Sequence, residues 1–369
     1  MEVEVSVSRV GDLTKGSPDQ KFQAAKPRYV NYDGLRGLAA LAVMLFHCSE
    51  RMGLGQAVPN GYLAVDFFFA LSGFVIAEAY IDRLKGGMSV FRFMLLRFVR
   101  IYPVYIIGLL GGCIFFVGAA SFHIQGIGFA DVGLAFLFGI TFLPIPVELG
   151  LFPPILPLDG PAWSLSFELL VNFVFALIVM HLNRRCLSAL IVISGLFLIA
   201  AANYWGQLHL GWTTSNLAGA LPRVFFSFFL GIALYKLRPQ TRFNNVMAVI
   251  PAVMLLAIFF LGTPSAHFDL AATMIVFPLV IYLGAWFEPL GRLASIYNVL
   301  GEISFPAYVL HMPISLFAKQ IFVRLHLHGN ILLIAWGVTL IGIAVISWVV
   351  ARYYDRPVRA YLNKQLKKS

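Results

Sequence analysis

The first pair of residues that could do chemistry is Arg36 and His47, eleven positions apart in the apolar stretch YDGLRGLAALAVMLFHCSE. At 3.6 residues per turn both side chains return to one helix face, about 16 Å apart along the axis. Ionisable residues inside an apolar span mark functional sites by default. The guanidinium can bind an anion, and the imidazole can act as a general base. The structural alternative is a buried histidine bonded to another helix and an arginine that extends to lipid phosphates.

The next apolar stretch carries one acidic residue near its start, Asp66 in NGYLAVDFFFALSGFVI. A lone carboxylate in lipid costs about 2.5–3.5 kcal/mol on insertion scales, so we expect it to have a partner. We predict that this partner is His47, since a carboxylate that accepts one imidazole proton fixes the tautomer of the ring. The alternative is a structural carboxylate that caps a helix or bonds to Tyr62 or Ser72. Ser72 is also a candidate for contact with substrate or with an oxyanion.

Two arginines, Arg97 and Arg100, lie three residues apart in FRFMLLRFVRIYP, just before the third apolar stretch. This spacing places both side chains on one helix face. A planar guanidinium presents a fork of donors that matches phosphate oxygens, so we predict that this pair and Arg36 bind the phosphates of an anionic substrate. The alternative is that they only anchor the topology, because basic residues commonly precede a span.

The segment PAWSLSFE opens a later span and places Ser164 and Glu168 four residues apart on one helix face. Glu168 lies within an otherwise apolar span, and we predict that either it or Asp66 orients the histidine base. Trp163 and Ser164 are candidates for contact with substrate. A helix-start turn with a tryptophan at the membrane interface is the structural alternative.

A polar stripe follows in GEISFPAYVLHMPI, where Ser304, Tyr308 and His311 recur at spacings of four and three. A hydroxyl of Ser304 or Tyr308 could stabilise an oxyanion, and His311 lies roughly 10 Å along the helix from Ser304. The two prolines of this segment free backbone carbonyls, as in helices that line a cavity. The alternative is that the stripe packs against neighbouring helices.

These residues belong to a chain in which 60% of the 369 residues are hydrophobic and 12% are charged. Soluble domains average about 45–50% apolar and about 25% charged residues. So little charge cannot cover a water-exposed globule, and we predict an all-α, polytopic bundle of membrane-spanning helices surrounded by lipid. The net charge of +10 does not indicate nucleic-acid binding, because the basic residues lie at the ends of apolar runs. No spacing typical of a metal site occurs.

Ten stretches are long enough to cross a bilayer, which takes about 20 residues. They run near 34–52, 61–81, 101–120, 163–181, 187–204, 217–236, 245–262, 268–286, 302–323 and 331–352. An eleventh stretch, 131–145, is short, and we predict a re-entrant or surface hairpin over 131–160. If it spanned, the basic connections after it would lie outside, against the positive-inside rule, so both termini are predicted to be cytoplasmic. The predicted division is a polar cytoplasmic tail (1–29), a membrane domain (30–355) and a basic cytoplasmic tail (356–369).

Taken in order, the spacing of Arg36 and His47 and the motifs GYLAVDFFFALSGFVI, RFVRIYP, PAWSLSFE and SFPAYVLH resemble the membrane acyltransferase-3 family. The resemblance covers about residues 30–355. It implies a ten-helix domain, in a bacterial inner membrane, that moves an acyl group from acyl-CoA to a hydroxyl of a saccharide or lipid-linked saccharide. Some members carry an extra extracytoplasmic hydrolase-like domain. We expect this chain to lack one, so transfer to a partner acyl-accepting protein is an open alternative.

The residues and the resemblance together predict an O-acyltransferase whose donor is acyl-CoA, with acetyl-CoA expected. The three arginines hold the donor phosphates at the cytoplasmic face, and His47 acts as general base on the acceptor hydroxyl or carries the acyl group briefly. One rival is a transporter or flippase that uses the intramembrane ionisable residues as a substrate or proton path. Another is a scaffold protein without catalytic activity.

Overall fold

The computed structural model describes residues 29–52, 57–122, 127–145 and 154–367. Within these ranges almost all regular structure is helical, which confirms the predicted all-α bundle. The α-helices are α1 (Val30–Met52), α2 (Ala64–Lys85), α3 (Val90–Ser121), α4 (Phe129–Ile140), α5 (Trp163–Ile178), α6 (Arg184–Trp205), α7 (Ala220–Leu237), α8 (Asn245–Phe260), α9 (Ala266–Ala271), α10 (Phe277–Trp286), α11 (Gly291–Arg324), α12 (Gly329–Val350) and α13 (Arg356–Leu366). Two short strands, β1 (Arg242–Phe243) and β2 (Phe287–Glu288), form a parallel pair.

Among the described residues, eight helical stretches are long and apolar enough to cross a membrane. They are Gly61–Lys85, Val90–Ser121, Pro157–Ile178, Arg184–Trp205, Thr214–Leu237, Ala266–Trp286, Gly291–Arg324 and Gly329–Leu366. The two other predicted spans correspond to α1 and α8. The polar residues of α1 make it less apolar than the rest, and it packs against α11, α8 and α2. The 16 residues of α8 extend about 24 Å, which is short for a hydrocarbon core of about 30 Å.

Helix α3 begins at Val90, well before the span predicted from residue 101. Ser89 caps its N-terminus by accepting a hydrogen bond from the Arg92 amide at 3.2 Å. Arg97 and Arg100 therefore lie on a helix, as their spacing predicted, and this helix begins eleven residues before the predicted span. Apolarity marks only the turns inside lipid, whereas capping sets where the helix starts.

The predicted hairpin over 131–160 contains a short helix, α4, of 12 residues. The Tyr105 hydroxyl on α3 donates to the Gly139 carbonyl at 2.7 Å and holds the end of α4 against α3. At about 18 Å this helix is too short to cross the bilayer. The amide of Ile145 donates to the Ile155 carbonyl at 2.9 Å, so the segments at Ile145 and Ile155 lie side by side. Residues 146–153 lie outside the described part, and the side of the membrane on which the hairpin lies stays a prediction.

Helical structure continues after α12 beyond residue 355, where the sequence suggested that a basic tail begins. A π-helical segment, Ala351–Asp355, connects it directly to α13, and α13 packs against α3. Ala351 and Asp355 are buried. Described residues of the expected tail are therefore largely helical and attached to the bundle. All of the predicted N-terminal tail except Tyr29 lies outside the described residues.

The α1–α11 pair packs at very close range, and it carries predicted site residues on both helices. A Cβ built on Gly37 would come within 2.6 Å of the Leu300 carbonyl oxygen, and one on Gly301 within 2.5 Å of the Asp33 Cβ. Such contacts lie well inside van der Waals distance, so only glycine fits at either position. Small residues allow the same close approach in other membrane helix pairs.

Candidate functional site

A cavity of about 160 Å³ opens between α1, α2, α3, α5 and α11, and we refer to it as the central cavity. Apolar side chains such as Phe68, Phe69 and Leu165 form much of its wall. Its lining brings together most of the predicted site residues, namely Arg36, Ser72, Arg97, Arg100, Ser164, Glu168, Ser304 and Tyr308. Predicted site residues outside this lining are His47, Asp66, Trp163 and His311.

Arg36 is held at the cavity by helix α11 and by its own helix. Its Nε donates to Ser304 Oγ at 3.0 Å, and its Nη2 donates to the Gly301 carbonyl at 3.3 Å. The same Nη2 pairs with Asp33 Oδ1 at 2.8 Å. This arrangement fixes the guanidinium inside the protein, whereas the structural alternative requires it to extend to lipid.

Glu168 is bound to an arginine, not to a histidine. Its Oε1 accepts hydrogen bonds from Arg97 Nη2 at 2.8 Å and from Ser72 Oγ at 3.0 Å. The Arg97 Nε is buried and has no hydrogen-bond partner in the described part of the chain. The prediction that Glu168 orients His47 therefore has no supporting contact; Glu168 instead positions the Arg97 fork at the cavity wall.

Arg100 differs from its two arginine neighbours in having no carboxylate within 4.0 Å among the described residues. Its guanidinium carbon lies 5.2 Å from the ring centroid of Phe305, a cation–π distance. An arginine that lacks an acidic partner and faces a cavity can still bind an anion with its donors.

Two hydroxyls, those of Tyr308 and Ser164, meet at the cavity, 2.7 Å apart. Tyr308 donates to the Pro161 carbonyl at 2.8 Å, and Ser164 can donate to the same carbonyl at 3.2 Å. While Tyr308 donates to Pro161, Ser164 can donate to the Tyr308 oxygen or to the Pro161 carbonyl, so the Ser164 proton can turn to a new acceptor without loss of the Tyr308 bond. This pair can supply a hydrogen bond to a developing oxyanion.

The imidazoles of His47 and His311 stack on each other, with centroids 5.4 Å apart and planes 20° from parallel. Nδ1 of the fully buried His311 lies 3.0 Å from the Ala307 carbonyl. A carbonyl only accepts, so Nδ1 carries a proton, and when the ring is neutral its Nε2 is an acceptor. That Nε2 has no partner in the described part of the chain. The Tyr308 ring, 6.2 Å from the His311 ring, connects the pair to the cavity.

Asp66 does not pair with His47, and this sequence prediction is wrong. Both of its carboxylate oxygens accept hydrogen bonds from Arg223 on α7, Oδ1 from Nε at 3.1 Å and Oδ2 from Nη2 at 2.6 Å. The two side chains are 0% and 1% exposed. The Trp163 ring lies 5.3 Å from the same guanidinium and so packs on this ion pair. The arrangement points to a structural role for Asp66 and Trp163.

Sequence reasoning missed Arg223 and Asp159. Arg223 lies in LPRVFFSFF, an apolar segment, and that setting was a usable signal. Asp159 lies in the 3₁₀ segment Pro157–Ala162, and both of its oxygens are buried without hydrogen-bond partners in the described residues. It carries no local pattern beyond DGPAW. Nowhere in the described chain do three or more His, Cys, Asp or Glu side chains form a group that could hold a metal ion.

Comparison with known proteins gives the family of this chain. Residues 29–352 match the family model described as an acyltransferase domain. The chain belongs to this family, acyltransferase-3, and it is an acyltransferase and an integral membrane protein.

Three relatives illustrate the similarity. Protein 2 in the picA locus of Rhizobium radiobacter is 34% identical over 192 residues, which cover 49% of this chain and 97% of that protein. Acyltransferase MdmB of Streptomyces mycarofaciens is 32% identical over 160 residues, 41% of this chain and 39% of MdmB. A Staphylococcus aureus (strain COL) protein named as an O-acetyltransferase is 31% identical over 97 residues, 26% of this chain and 15% of that protein. No solved structure matches the chain.

Proposed function

We propose that the protein transfers an acyl group, acetyl in the first instance, from cytoplasmic acyl-CoA to a hydroxyl of a carbohydrate or glycolipid. The observation that carries this proposal is the distribution of charged and polar groups in the central cavity. Its lining includes three arginines and, separately from them, the Tyr308 and Ser164 hydroxyls. Two stacked imidazoles lie beside the Tyr308 ring, whose centroid is 6.2 Å from that of His311. The O-acetyltransferase name of a relative supports an oxygen acceptor and an acetyl group.

The arginines take the anionic part of the donor. Arg36 and Arg97 are held in place by Ser304 and Glu168, and Arg100 has no carboxylate partner in the described chain, so the three present donors that are already oriented. Helix geometry places the His47 level of α1 about 16 Å from Arg36. The pantetheine arm of the donor then lies between the two levels and brings its thioester to the hydroxyls.

The reaction proceeds by general base catalysis. The imidazole of His47 removes the proton of the acceptor hydroxyl while the oxygen attacks the thioester carbonyl carbon. Tyr308 or Ser164 donates a hydrogen bond to the carbonyl oxygen as it gains charge. The carbon–sulfur bond breaks, and the thiolate leaves with the proton from the imidazolium. His311 has a free Nε2 acceptor beside His47 and is the second candidate for the base. An acyl-histidine intermediate remains the alternative to direct transfer.

The acceptor side of the proposal rests on the family resemblance, which points to saccharides and lipid-linked saccharides. A partner protein that accepts the acyl group would use the same donor half of the site. We place the arginine end at the cytoplasmic face, in a bacterial inner membrane with both termini cytoplasmic, because acyl-CoA is a cytoplasmic donor that does not cross a bilayer.

The test is turnover of labelled acetyl-CoA by the purified protein with saccharide acceptors. His47→Gln should lower the transfer rate by about 10²-fold or more and leave CoA affinity nearly unchanged. His328→Gln, at an exposed histidine after α11, is the matched control and should be neutral. Full turnover by the His47→Gln protein would move the base assignment to His311. Absence of acyl transfer from acyl-CoA by the wild-type protein to any hydroxyl acceptor would refute the proposed donor and reaction.

A further inference from the structure

A second cavity of about 130 Å³, here the C-terminal cavity, lies beside the central one and has a markedly polar wall. Arg36, Arg100 and Phe305 line both cavities, so the two meet at these residues. The C-terminal cavity adds Arg356 and Arg359, from the segment that sequence analysis treated as a tail. Its lining also contains three carboxylates, those of Asp33, Glu302 and Asp355.

The charges around this cavity are incompletely balanced. Arg356 pairs with Glu302 at 2.8 Å, Arg359 with Asp355 at 2.7 Å, and Arg36 with Asp33 at 2.8 Å. Arg100 is left as the fourth arginine, without a carboxylate within 4.0 Å in the described chain.

A buried donor also lacks an acceptor here. The Nε of Arg359 is inaccessible to solvent and has no hydrogen-bond partner among the described residues, and the same holds for one acceptor of the lining, Asp355 Oδ1. An unmade hydrogen bond from a buried charged group is costly. An anion in the cavity would remove this cost and neutralise the excess positive charge.

An unusual helix segment positions the residues that α13 adds to the wall of the C-terminal cavity. The five residues Ala351–Asp355 form a π-helical turn between α12 and α13, and such turns occur frequently at functional sites. Asp355 is buried within this turn, one helical turn before Arg359, and α13 packs against α3, the helix of Arg100. Family similarity ends at residue 352, so Asp355, Arg356 and Arg359 lie beyond the matched domain.

We propose that the C-terminal cavity binds a phosphate group of the nucleotide part of the donor, with Arg100 and Arg359 as the principal ligands. This inference rests on the proposed function. Along α11, Glu302 of this cavity lies about 9 Å from Tyr308 and about 14 Å from His311. An extended pantetheine arm bridges such a distance and delivers the thioester to the hydroxyls while the phosphate stays between α3 and α13.

A phosphate could also come from an anionic lipid headgroup, since Arg356 is 56% exposed. We favour the donor because Arg100 and Arg36 line the wall shared with the central cavity, which a headgroup at the bundle surface has no need to reach.

Binding of unacylated ligands tests the site without an acceptor. The intact protein in phosphatidylcholine nanodiscs would be titrated calorimetrically with CoA and with pantetheine. Arg359→Ala should weaken CoA binding about tenfold or more, since a charge-assisted hydrogen bond is lost, and should leave pantetheine binding within about twofold. Arg359→Lys should recover part of the loss, because a point charge replaces a fork. Arg352→Ala is the matched control: it removes an exposed arginine of the same segment that stacks on Trp348.

The outcomes separate the inference from the proposed function. Equal weakening for CoA and pantetheine, or no change for CoA, would overturn the phosphate site even if acyl transfer is observed. A response of Arg359→Ala that appears only when phosphatidylglycerol is added would assign the site to a lipid headgroup. Selective weakening for CoA supports the site, and it does so even if no saccharide is acylated, in which case only the transfer reaction is wrong. A wild-type protein that binds no CoA would refute both.

Discussion

Removal of the Asp66 charge should destabilise the fold without a direct effect on the chemistry. Asp66→Asn leaves the buried Arg223 guanidinium without its counter-charge, and breaking a buried pair in this way costs about 3–5 kcal/mol. The retained amide oxygen can still accept one hydrogen bond, which offsets about 1 kcal/mol. We therefore expect a loss of about 2–4 kcal/mol. For chains of 150–250 residues, each kcal/mol lowers Tm by about 2–4 °C, so this loss corresponds to a fall in Tm of roughly 4–16 °C. Because this chain is longer, we expect a fall no larger than that.

The assay is thermal unfolding in one detergent, paired with acyl transfer measured well below the Tm. Glu50→Gln, at an exposed carboxylate of α1, controls for the loss of one charge and should leave Tm nearly unchanged. Replacing both members of the pair, Asp66→Leu with Arg223→Met, should recover at least half of the loss, although two carbonyls then lose their arginine donor. An Asp66→Asn protein with unchanged Tm and a rate reduced 100-fold would refute this reasoning, since Asp66 would then act on His47 as the sequence suggested.

Three further results are expected. Glu168→Gln should weaken donor binding a few-fold because its arginine partner loses a charged anchor, whereas a loss of rate by about 10²-fold at unchanged donor affinity would make Glu168 a catalytic residue. Gly37→Ala should destabilise the protein by about 1–3 kcal/mol through overpacking against α11, whereas Gly342→Ala, with open space around it, should be neutral or slightly stabilising in the same unfolding assay. In a variant without native cysteines, Lys364→Cys should react with an impermeant maleimide only from the cytoplasm and His328→Cys only from outside; the reverse pattern would overturn the predicted topology.

The bundle could be predicted from the sequence because apolar runs of membrane length are a strong signal. Helix ends could not be, since polar residues continue helices beyond the lipid. Val90 and Gly291 begin their helices well before the apolar runs, and the π turn after α12 has no pattern in composition. The arginines of α3 were consequently predicted to precede the span, although their shared helix face was correctly predicted.

The site was partly predictable for a related reason. Helical spacing identified polar side chains that share a face, and the central cavity collects most of them. Spacing cannot identify partners that come from distant helices. Asp66 and Arg223 are separated by 157 positions, and Glu168 and Arg97 by 71, so the choice of His47 as partner for either acid had no long-range information behind it.

The glycine contact between α1 and α11 has a consequence for the choice of acyl group. Because α1 and α11 approach each other so closely at Gly37 and Gly301, the two backbones set the separation between the arginines and the imidazoles. If the donor is acyl-CoA, as proposed, its pantetheine arm has a constant length, so the thioester carbon should stop at the same level for every acyl group. A longer acyl chain then has to extend beyond that level, into whatever space remains past the histidines. The helix pair would thus fix the level of the thioester. The space on the far side of His47 and His311, away from the donor's phosphates, should then limit the length of the acyl chain.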